Sequence, residues 1–136
     1  MRVISRIIIH HSASSLTTTI EDINRWHRDK GWAGVGYHYV IHQDGTIYPG
    51  RDLDAHGAHC PQDRANIDSV GICVVGDNTQ PSQSWTADQR RALHGLVVSL
   101  RQVFATHLPA VGHRDVPGTA TLCPGISMTE IFGVQR

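Results

Sequence analysis

The sequence predicts a mixed α/β fold: a central mixed β-sheet flanked by α-helices, with any site in a cleft at one rim of the sheet. Three observations carry this reading. The chain has 136 residues, the length of one domain that can bury a core without disulfide staples. Short β-branched runs alternate with two segments of helical period. No repeat, low-complexity tract or linker divides them, so residues 1–136 read as a single domain with no separate binding module.

The elements follow in order. Residues 3–9 are mostly Ile and Val, which suit a buried strand. Ser12 to Thr19 is a polar break. Thr18 with Glu21 reads as a capping box opening a helix to about Lys30, with Ile20, Ile23 and His27 on one face and Gly31 as its stop. Residues 36–42 are strand-like, Asp44-Gly45 is a hairpin turn, and Thr46-Ile47-Tyr48 returns antiparallel. Residues 51–66 lack periodicity and read as a long loop, the kind that often binds ligands. The apolar run 70–76 fits a central strand in which Cys73 is a small core residue. Thr86 with Gln89 opens a second helix carrying Leu93, Leu96, Val97, Leu100, Val103 and Phe104 at helical spacing. Residues 110–112 form a short strand, 112–125 an irregular loop, and Ser127 caps a last helical turn or two.

Composition narrows the function classes. Twelve basic and twelve acidic residues give zero formal net charge, so nothing points to nucleic acid or an anionic membrane. No run approaches a membrane span. Three cysteines without a close pair exclude a zinc finger and a thioredoxin-like motif, and suit a reducing compartment. The few apolar residues before His10-His11 are too short for a signal-peptide core. The expectation is a monomer that is cytosolic as synthesised.

The chemistry concentrates in His10, His113 and Cys123. Cys123 lies in a Gly/Pro-punctuated loop, poorly placed for core packing and well placed to offer a thiolate to a metal. His113 opens that loop after a short strand, ten residues earlier. His10 ends the first strand, where side chains can converge at a sheet rim, though His11 competes with it on spacing alone. Two imidazoles and a thiolate suit Zn²⁺ with an open fourth position, which separates a catalytic from a structural zinc.

Six segments extend the pattern: Ile9-His10-His11-Ser12-Ala13, Gly36-Tyr37-His38-Tyr39 with Asp44-Gly45, Gly57-Ala58-His59, Ser69-Val70-Gly71-Ile72, Gly112-His113-Arg114-Asp115 and Cys123-Pro124-Gly125. In this order the chain resembles the zinc-dependent N-acetylmuramoyl-L-alanine amidases of the amidase type 2 family. That family includes phage lysozymes of amidase type and peptidoglycan recognition proteins. The resemblance implies one catalytic zinc on His10, His113 and Cys123, with His10 rather than His11 as first ligand. It implies Tyr37 as the active-site tyrosine and peptidoglycan as substrate, cut between N-acetylmuramic acid and L-alanine. Thr121 stands where many phage and bacterial members carry lysine, so a hydroxyl replaces a cation beside the developing oxyanion. Asp68 stands where relatives often show asparagine. His59 is either a substrate contact or a solvent-exposed loop histidine. His27, His38, His42, His56, His94 and His107 read as structural or surface residues, and Trp32 and Trp85 as groove-lining or packing.

A phage endolysin is the expected role. The rival readings are a recognition module without turnover, a cytosolic muropeptide-recycling amidase, and a structural zinc that takes His11 or His59 as a fourth ligand.

Overall fold

The structure, a computed structural model, describes residues 2–133. Five strands form one sheet in the order β3-β2-β4-β1-β5. β1 (Arg6–His11) is central and pairs in parallel with β4 (Ser69–Val74) and β5 (Ala110–Gly112). β2 (Tyr39–Ile41) runs parallel to β4 and antiparallel to β3 (Ile47–Pro49). The sheet is thus mixed, and its four parallel strands end along one rim, where open α/β sheets bind their ligands.

β1 and β4 are apolar on both faces because both faces are covered. On one face Ile7, Ile9, Val70, Ile72 and Val74 pack against Leu93, Leu96, Val97 and Leu100 of α3 (Ala87–Val103), with Met128 and Ile131 of α4 (Met128–Phe132) at the end of the layer. On the other face Val40, Cys73 and Val75 meet Ile23 of α1 (Ile20–Asp29), and Ile8 meets Cys60, Ala65 and Val116.

Several boundaries differ from the sequence reading. β1 starts at Arg6 rather than residue 3, because Val3 lies outside the ladder and is 84% exposed. The first capping box is Thr19 with Asp22, not Thr18 with Glu21. Thr18 instead joins its hydroxyl to Ser14, which leaves Thr19 to cap. The loop 51–66 is not wholly irregular: a 3₁₀ turn at Gln62–Arg64 leads into α2 (Ala65–Asp68). The second capping box, Thr86 with Gln89, stands as read, and Ser127 caps α4.

Candidate metal centre

His10 is the penultimate residue of β1, directly across from Cys73 of β4, and faces the α1 side of the sheet. It is 1% exposed. His113 follows β5, so the parallel pairing of β1 and β5 brings the two rings to one rim, with centroids 4.7 Å apart.

The loop that starts at His113 folds back because its ends are tied. The Arg114 N–H donates to the Cys123 carbonyl at 2.7 Å, and Gly125 N–H to Leu122 O at 2.6 Å. Asp115 accepts the Gly112 N–H, and a Cβ on Gly112 would stand 2.8 Å from Pro124, so this position has to be glycine. Asn78 completes the clamp: its Nδ2 donates to Pro124 O, and its Oδ1 accepts from Trp85 N–H. The sequence offered no sign of Asn78, which lies in a plain polar loop.

The result is a cluster. Ligand atoms of His10, His113 and Cys123 all lie within 4.8 Å of one another. Cys123 Sγ stands 3.7 Å from His10 Nδ1. Nitrogen and sulfur ligands at about 2.1 and 2.3 Å on a tetrahedral zinc stand about 3.6 Å apart. The donor set and its spacing fit that ion. His11 points elsewhere: its Nδ1 accepts the Asn78 N–H and faces Asp77 at 3.8 Å.

Burial sets the protonation states. It pushes His10 well below the usual imidazole range, with His59, His113 and His11 nearby adding to the effect. It lowers His113 as well. Both rings are therefore neutral and present lone pairs. Burial pushes the Cys123 thiol up to about 12, so only a cation would draw the proton from it.

Tyr37 stands beside this cluster, its ring centroid 5.0 Å from that of His10. Burial, then the neighbouring Cys73 and Cys123, hold its hydroxyl pKa well above the usual value. It is a proton donor at neutral pH. Thr121 Oγ1 accepts the Cys123 N–H at 3.1 Å, which braces the ligand loop and leaves the hydroxyl proton free to be donated.

A cleft of about 370 Å³ opens beside Tyr37, lined also by His27, Lys30, Trp32, His59 and Asn66. His27 was read as structural, yet it lines the cleft. Its Nδ1 accepts the Gly36 N–H, which leaves the other nitrogen as a donor. Trp32 lies under Lys30 Nζ at 5.0 Å, while Trp85 is buried in the α3 layer. Asp68 pairs with Arg6 at 3.0 Å, away from the cluster.

The family model for N-acetylmuramoyl-L-alanine amidase matches residues 1–126. The chain belongs to that family. The endolysin of Klebsiella phage KP32 is 37% identical to the amidase over 129 residues, 91% of this chain and 82% of that protein. Peptidoglycan-recognition protein SC2 of Drosophila melanogaster is 32% identical over 134 residues, 92% and 70% of the two chains. Among solved structures, N-acetylmuramoyl-L-alanine amidase LysC from Clostridium intestinale URNW superposes with a TM-score of 0.80 at 32% identity, covering 93% of this chain and 79% of its own. The amidase is an enzyme that hydrolyses the muramoyl–alanine amide of peptidoglycan.

Proposed function

We propose that the chain is a zinc-dependent amidase of endolysin type, with the metal on His10 Nδ1, one ring nitrogen of His113 and Sγ of Cys123. The observation that carries the reading is the three-donor cluster at zinc spacing with Tyr37 beside it. Zinc in such a site polarises an amide carbonyl and brings the pKa of water near 7.

The chain's own residues do the rest. The cleft beside Tyr37 receives a segment of the substrate that flanks the scissile amide, and Trp32 gives an apolar face to a sugar or peptide segment. Tyr37, kept protonated by its burial, donates a hydrogen bond to the oxygen on which charge develops. Thr121 offers a second, neutral donor where a lysine would offer charge. Its hydrogen bond to Cys123 also keeps the thiolate in register. His59 is among the residues that line the cleft.

The endolysin role rests on the kinship with phage endolysins. In this reading residues 1–136 act as one catalytic domain and as a monomer, reaching the wall after release from the cytosol. No helix of the described residues is long and apolar enough to cross a membrane.

The test is Cys123→Ser, which removes the thiolate. Purified peptidoglycan should no longer be cut, and one equivalent of zinc present in the parent should be lost. Full activity in the variant with zinc still bound would refute the ligand assignment. Comparing intact sacculi with soluble anhydro-muropeptides separates the roles: preference for sacculi supports the endolysin, preference for muropeptides a recycling enzyme.

A further inference from the structure

We propose that His59 is a positioning residue, which accepts the Nε2–H of His10 and so holds His10 with Nδ1 turned to Cys123 and the metal. This deepens the zinc reading and rests on it.

Hydrogen-bond direction makes the case. His10 Nδ1 faces Cys123 Sγ at 3.7 Å, and His10 Nε2 lies 2.8 Å from His59 Nδ1. A metal on Nδ1 needs its lone pair, so the ring proton sits on Nε2 and His10 is the donor to His59. His59 Nδ1 is then an acceptor, and its proton sits on Nε2. That nitrogen faces Ser69 Oγ at 3.4 Å, and Ser69 donates onward to Ala65 O. Every member of the line has one consistent direction. A metal-bound histidine nearly always gives its second N–H to an outer acceptor, which fixes its tautomer and orientation. A neutral imidazole fills that place here.

The fold also builds a slot for this ring. Gly71 lies in the middle of β4, where a glycine weakens a strand unless something must approach closely. A Cβ there would stand 2.5 Å from His59 Cδ2 and Nε2. A Cβ on Gly57 would also collide with the ring. Asn66 Oδ1 accepts both the His59 and the Cys60 backbone N–H at 2.8 Å, which fixes the loop that carries the ring. His59 is 8% exposed, and both ring nitrogens have partners inside the protein. A substrate contact through either nitrogen would break this line.

The experiment measures zinc affinity by chelator competition, together with the melting temperature of the metal-free proteins. His59→Phe keeps a ring and removes the acceptor. It should weaken zinc binding by about 10- to 100-fold. His59→Asn places an amide oxygen near the Nδ1 position and should restore most of the affinity. Gly71→Ala removes no polar atom, yet should weaken zinc by displacing the ring. A merely structural His59 would lower the melting temperature in both His59 variants and leave the affinity of folded protein unchanged.

Wild-type affinity in folded His59→Phe overturns the inference, and lost turnover in that variant would then mark a substrate contact. Should His59→Phe not fold, wild-type affinity in Gly71→Ala and Ser69→Ala overturns it equally. A parent protein that binds no zinc refutes the metal reading itself, and the inference falls with it.

Discussion

The two faces of the sheet are built from different materials. The face under α3 is mainly hydrocarbon: Ile7, Ile9, Val70, Ile72 and Val74 against four apolar residues of the helix, with Gln89 buried at its edge and bonded to Val75 O. The opposite face buries His10, His38 and His59, with His27 and Tyr37 above them. The first face contributes stability in proportion to apolar area, at about 25 cal/mol per Å². The second buries polar rings, each of which costs unless it is paired. Among the described residues no buried side-chain nitrogen or oxygen lacks a hydrogen-bond partner. Pairing at best offsets that cost, since a net hydrogen bond is worth about 1 kcal/mol. A protein keeps such a face for chemistry, and changes on the two faces should therefore read out differently.

The largest expected effect is on the apolar face. Leu93 is fully buried in the α3 layer. Leu93→Ala should destabilise by about 2–5 kcal/mol through lost burial and a residual cavity. Urea titration measures the loss, and peptidoglycan hydrolysis per folded molecule should stay near that of the parent. A folded Leu93→Ala protein without activity would break the division between the faces.

The next effect belongs to the polar face. Tyr37→Phe keeps the ring beside His10 and removes one hydroxyl. Hydrolysis of dye-labelled peptidoglycan should fall by about 100- to 1,000-fold, the size of one lost donor to developing charge. The urea midpoint should move little, because the ring packing is retained. A large stability loss with unchanged turnover would make Tyr37 a core aromatic and nothing more.

The contrast also explains what the sequence made legible. The α3 face was readable because its signal is periodic: leucines and valines at helical spacing opposite β-branched strands. The grouping of His10, His113 and Cys123 was expected from the family resemblance of the short motifs that carry them, since spacing alone left His10 and His11 open. The network that holds them was not. His59 looks in sequence like any loop histidine; only the fold brings it 2.8 Å from a residue 49 positions away. Gly71 reads as a flaw in a strand until the ring beside it is seen. Asn78 and Asn66 act through backbone groups, and pairing with backbone leaves no trace in residue type. The first helix start slipped by one residue because Thr18 and Thr19 are equivalent in composition and differ only in their neighbours.

The smallest and most graded effect is the response to acid. Burial, opposed by the hydrogen bond to the Ala55 carbonyl and helped by the weaker influence of Arg2 and Arg51, lowers His38 to about 4 from the reference 6.5. Burial, then Lys30 and Arg51, lowers His27 to about 4 as well. In the unfolded chain both take a proton below 6.5; in the folded chain they stay neutral until about 4. The unfolded state thus binds more protons inside this window. The stability they carry is complete above the upper value, is lost as pH falls through the window, and levels off below the lower one. The slope is at most about 1.4 kcal/mol per pH unit for each fully shifted ring. Urea midpoints of metal-free protein, measured from neutral pH down through the window, should fall accordingly. His38→Asn keeps an acceptor for the Gly71 N–H that Nδ1 now receives and removes the titration, so its curve should be flatter. Leu93→Ala should lower the whole curve without changing its slope, because neither leucine nor alanine takes up a proton. Equal slopes in His38→Asn and the parent would show that the acid response arises elsewhere than in this ring.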